Sequence, residues 1–206
     1  MVAKVSFFPV GNGDTSQIVL GKTDRWLLFD FHHHKRSEEE GSTDFNLKKH
    51  LKDLLKAAKR DYYDVLSLTH GDDDHIRNST EFFELRHAAK YQGGDRTKVR
   101  ELWVPAAMIL EDGTNDQQTN EVIIWRQEAR YRLKEGKGIH VFSRPDKLKA
   151  WLEKNGLTLE QRLHLITDAG QLVPGFSLTS DEVEFFVTRR LSSMSTGVMC
   201  CATRLR

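Results

Sequence analysis

The chain has 206 residues, 38% hydrophobic and 30% charged, with a formal net charge of +1. That is one domain's length, too apolar for a disordered chain and too neutral to recruit nucleic acid or an anionic membrane by overall charge. No apolar run reaches the roughly 18 residues of a membrane span.

"AKVSFFPVG" is a strand with Val5 and Phe7 on one face, and "GNGD" is a tight turn in which Gly11 and Gly13 can take positive φ. "TSQIVLG" and "RWLLFDF" are further strands, so residues 1–31 read as a β-meander. "HHHKRSEEEGS" is a charged loop. A helix capped near Thr43 or Asp44 then carries Leu47, Leu51, Leu54, Leu55 and Ala58 as one stripe. "YDVLSLTH" is an apolar run fit for a strand buried on both faces. A helix is expected over 78–90, starting at Asn78 or Ser79, then a strand in "VRELWVP". "NDQQTNEVIIWRQEARYRLKEG" is a helix stopped by Gly136. "GIHVFSR" is a strand, Pro145 to Asn155 a short helix, "HLITDAGQLVPGFSL" mixed loop and strand, and "DEVEFFVT" a strand. Strands first, then alternating helices and strands, imply a single α/β (α+β) domain, a mixed sheet with helices packed on it.

The chemistry concentrates in "HGDDDH", residues 70–75, directly after the apolar run. Imidazole and carboxylate are the donors that zinc and similar ions take. The turn can aim His70 and Asp72 at one point and Asp74 and His75 at another, the arrangement two ions about 3.5–4 Å apart require. The plainer alternative is a solvated acidic turn with Asp74 capping the next helix.

The hexad resembles the metal motif of the metallo-β-lactamase superfamily, and its aspartate-rich form resembles the hydrolase domain of the bacterial DNA-uptake protein ComEC and its relatives. "FFPVGNGDTSQIVL" and "WLLFDF" resemble the segments that precede that motif, so the likeness spans about residues 4–76. It implies an αββα sandwich, and two divalent ions, zinc foremost, with His70 and Asp72 on one and Asp74 and His75 on the other. It further implies a metal-held hydroxide as nucleophile, Asp74 taking a proton, and Asp14 and Asp30 buttressing the loop. The implied substrate is a phosphodiester, nucleic acid among the candidates, or another small substrate.

Beyond residue 76 the pattern departs. No histidine follows His164, and Thr188 stands where a third motif histidine is expected. The tail "STGVMCCATRLR" reads as a cut or frame-shifted strand, so the chain is expected to hold the N-terminal half of the fold plus a helical insertion, with weak metal binding and one sheet face left bare. About 400 Å² of bare apolar face forfeits about 10 kcal/mol. A degenerate, inactive binding or regulatory module is therefore the alternative function.

Of the remaining candidates, His32 to His34 cannot all aim at one ion from extended backbone and read as a polar loop. His140 and His164 read as structural. Arg77 either meets a phosphate or crowds the entrance, and the lysines of 45–60 form a solvated helix face. The adjacent Cys200 and Cys201 make no disulfide framework, which with the absence of a signal-peptide pattern suits a reducing cytoplasm.

Overall fold

The computed structural model describes residues 3–111, 120–188 and 201–203. Strands β1 (Lys4–Phe7), β2 (Ser16–Leu20) and β3 (Arg25–Phe29) form the expected meander. They continue into β4 (Tyr62–Ser67), β5 (Lys98–Pro105), β6 (Ile139–Phe142) and β7 (Ile166–Thr167) as one seven-stranded sheet. Strand order equals chain order: antiparallel from β1 to β3, parallel from β3 to β7. Parallel neighbours joined in sequence by right-handed crossovers place every connecting helix on the same face.

That face holds the larger core. α1 (Leu47–Ala57) buries Leu47, Leu51 and Leu55, as its apolar stripe requires. Its cap is Asn46 rather than Thr43 or Asp44, with the Asn46 side chain accepting from the Lys49 N–H at 2.9 Å. α5 (Asn120–Glu135) adds Val122, Trp125, Ala129 and Leu133, and α6 (Pro145–Lys154) adds Leu148 and Leu152. The proposed start of α5 before Asn120 lies outside the described residues.

The helix expected over 78–90 is not formed. Two single turns, α2 (Asp73–Ile76) and α3 (Ser79–Phe82), flank Asn78, which sits at φ 58°. Phe82, Phe83 and Leu85 are all buried, but the helix stops at Phe82 because Phe83 turns extended (φ -98°, ψ 146°) and bridges Thr97 in strand fashion. A further turn, α4 (Ala107–Leu110), follows β5.

The opposite face is not bare. Ile18, Leu20, Leu27, Val65, Trp103 and Phe142 pack under Val173, Phe176, Val183, Phe185 and Val187. The last two lie in β8 (Phe185–Val187), which pairs antiparallel with β9 (Cys201–Thr203). Part of the tail is thus a strand of a second, two-stranded sheet; Cys200 and Arg204 onward lie outside the described residues. Among the described residues no helix is long and apolar enough to cross a membrane.

Candidate metal centre

β4 is buried through Leu66, Ser67 and Leu68, and the chain leaves the sheet at its C-terminal end, where ligand sites of parallel sheets gather. Asp30 stands at the same end of neighbouring β3. Its φ of 55° is one that aspartate tolerates, and its N–H donates to the Ser67 carbonyl at 2.8 Å. Asp30 is 4% exposed, and its carboxylate accepts three hydrogen bonds: from the Thr69 N–H (2.7 Å), the Thr69 hydroxyl (2.7 Å) and His75 Nδ1 (2.8 Å). The next residues knit to the far side of the hexad, Phe31 N–H to the His75 carbonyl (2.8 Å) and His33 N–H to that of Arg77 (3.2 Å).

These bonds set both hexad tautomers. His75 gives its Nδ1 hydrogen to a carboxylate. The single Thr69 hydroxyl hydrogen goes to Asp30, so its oxygen accepts from His70 Nδ1 at 2.9 Å. Each imidazole therefore turns an Nε2 lone pair outward. His70 Nε2 meets Asp72 Oδ2 at 3.4 Å, while His75 Nε2 faces Asp74 Oδ2 at 3.5 Å and Asp14 Oδ2 at 3.9 Å. Lone pair facing carboxylate is repulsive until a proton or metal ion sits between them. Burial disfavours charge on His75, yet the Asp30 hydrogen bond and the charges of Asp30, Asp74 and Asp14 outweigh it and raise its pKa. Anchoring of the second ring nitrogen by a carboxylate or hydroxyl is the usual support of a metal-ligating histidine. The donor set fits a divalent ion.

Among the described residues one compact group of metal-ligating atoms exists: His70, Asp74 and His75, within 4.8 Å of one another. Asp72 caps α2 on the rim, 75% exposed, and reaches this group only through His70. Asp30 buttresses the loop. Asp14 does so through its backbone, its N–H donating to the Asp74 carbonyl at 3.3 Å, while its 82%-exposed carboxylate stands on the open side of His75. Phe7, 82% exposed, and Phe29 make an apolar lip to the same cleft.

Two glycines admit this packing. A Cβ on Gly13 would overlap the His32 ring, and one on Gly71 would overlap Val122 of α5. Gly13 is therefore needed for close approach, not for positive φ; of the two turn glycines only Gly11, at φ 76°, takes that conformation.

The polar-loop expectation for the histidine triplet fails. His32 and His33 are 3% and 2% exposed, because the segment is the second layer behind the hexad. His33 Nε2 bonds Glu38 at 2.8 Å on one side, while His32 and His34 face each other on the other. Arg77 is engaged by Asp73 and His34 and, still part-exposed, lines the cleft on that side with His34 and Asp74. His140 is buried in β6 against Thr167, its pKa pushed down to about 4 by burial, then by His164. His164 is exposed in the turn before β7. Neither joins the hexad group. Sequence reasoning missed Thr69 and His32. A hydroxyl directly before the first hexad residue, and a glycine in the preceding turn, were the available signals.

No protein-family model matches the chain, and no curated protein matches it either.

Proposed function

We propose that this protein is a metal-dependent hydrolase of the metallo-β-lactamase type, an αββα fold acting on phosphodiester bonds, nucleic acid included. The observation that carries the reading is the paired anchoring at Nδ1, by Asp30 and Thr69, which leaves both hexad Nε2 atoms facing carboxylates. His70 with Asp72, and Asp74 with His75, are assigned to two divalent ions, zinc foremost. A bound ion of this kind brings a water pKa from about 16 toward 7 and so supplies a nucleophile at neutral pH. Asp30 fixes the His75 ring, Thr69 fixes His70, and Asp74 accepts the proton released from the attacking water. Phe7 and Phe29 offer the substrate an apolar surface beside the ligands.

The test is metal content after dialysis, followed by hydrolysis of bis(p-nitrophenyl) phosphate with added zinc or manganese. Metal-dependent turnover that Asp74→Asn lowers by about a hundredfold or more supports the reading. The rival, a metal-binding module without turnover, is favoured by one observation: among the described residues the compact ligand group comes from a single loop. Bound metal with no turnover on any phosphodiester would favour the rival.

A further inference from the structure

Behind the ligand loop lies a second pair of imidazoles. His32 and His34 follow β3 in extended backbone, so these alternate side chains share a side. Their Nε2 atoms meet at 2.8 Å. Nitrogens that close either share a hydrogen or grip a cation, and their outer contacts decide between the two. Arg77 Nη1 lies 3.2 Å from His34 Nδ1. A guanidinium only donates, so His34 Nδ1 carries the lone pair and a neutral His34 bears its hydrogen on Nε2. That hydrogen goes to His32 Nε2. His32 then bears its own hydrogen on Nδ1, 2.9 Å from the Asp74 carbonyl oxygen, which only accepts. Donors and acceptors match in one direction. A cation between the two Nε2 atoms would move the His34 hydrogen to Nδ1, where it would point at the guanidinium.

We infer that His32 and His34 form a single-tautomer relay running from Arg77 to the Asp74 carbonyl, and that His32 is the positioning residue that aims the Asp74 carboxylate at His70 and His75. The metal consequence rests on the hydrolase reading above; the relay does not. Two further contacts hold the His32 ring in place, and a third steadies the carbonyl that it meets. Its backbone N–H donates to the Thr15 hydroxyl at 3.0 Å. The bare Cα of Gly13 lets the turn pass over the ring. The Asp14 N–H makes a second bond to the same Asp74 carbonyl.

Nitrogen-15 NMR of the histidine rings in the metal-free protein tests the relay directly. The expected result is a protonated Nδ1 on His32, a protonated Nε2 on His34, and a scalar coupling across the bond between their Nε2 atoms. His34→Ala should abolish the coupling and leave His32 protonated at Nδ1, still held by the Asp74 carbonyl. Zinc affinity, read by chelator competition, supplies the second arm. His32→Leu should weaken zinc by about 10–100-fold, whereas His32→Asn, which keeps a donor near the Nδ1 position, should stay within about threefold. Reversed tautomers or absent coupling would overturn the relay. A folded His32→Leu protein holding zinc as tightly as the parent would overturn the positioning role. If the parent holds no zinc, the hydrolase reading falls, and the ring spectra alone decide the relay.

Discussion

Asp30 is a buried carboxylate whose three donors all come from Thr69 and His75, at and beside the hexad. Asp30→Ala leaves those donors without an acceptor, at about 1–3 kcal/mol of stability, and frees the ring of His75. The expected outcome is a metal affinity about 10–100-fold lower in a protein that still folds, measured by chelator competition beside a urea melt. An unchanged affinity would mean that His75 needs no support. His140 gives a second prediction at this scale. Burial holds its folded pKa near 4, against about 6.5 when unfolded. Between those values the unfolded chain binds a proton that the folded chain refuses. The contribution is therefore complete above about pH 6.5 and lost as pH falls toward 4, about 3 kcal/mol in all. His140→Gln, neutral throughout, should lose less stability than the parent across that window in denaturant melts at each pH. Parallel losses in the two proteins would refute the assignment.

The hexad sits between elements distant in sequence: β3 supports it from one side and α5 presses on it from another. Val122 occupies the space that a side chain at position 71 would need. Gly71→Ala should cost about 1–3 kcal/mol by overpacking, and Val122→Ala in the same chain should recover most of it. A double-mutant cycle of thermal melts checks this, and additive losses would break the proposed contact. Legibility in the sequence followed the same division. β1 to β4 and α1 were readable because alternation, glycine turns and a leucine stripe are local signals. The grouping of His70, Asp74 and His75 was readable because the hexad packs them into six positions. The 78–90 segment misled, since a capping residue followed by Phe82, Phe83 and Leu85 suits a helix until Thr97 offers a strand partner. The burial of His32 was illegible for a similar reason. Three histidines look solvated in isolation, and only the approach of Gly13 and of the Asp74 carbonyl makes a dry site for one of them.

The two faces of the sheet are both covered, by helices on one side and by residues 173–187 on the other. Five apolar side chains on that second side, at about 1.5–3 kcal/mol each, contribute about 10 kcal/mol. That matches a whole domain's net stability of about 5–15 kcal/mol. The two layers share the same strands, so they should unfold together. Far-UV circular dichroism and tryptophan fluorescence are expected to trace one coincident thermal transition. Phe185→Ala should shift both signals by the same amount, about 3–5 kcal/mol. Trp103 is the tryptophan under the second layer, so its fluorescence, read with Trp26, Trp125 and Trp151 each replaced by Phe, melting ahead of the helix signal would show that layer to be a loose flap, and the bare-face expectation would return.

Strand order equal to chain order also sets a timetable. Each strand finds its partner in the segment just made, and every residue of the proposed metal centre, with Asp30, Thr69 and His32, lies between residues 14 and 75. These residues emerge from the ribosome as one stretch, ahead of α5. At about 5–20 residues per second, the helix that presses on Gly71 arrives some seconds later. The carboxylate, hydroxyl and imidazole contacts can close during synthesis, and Val122 then seats against a loop that already has its shape.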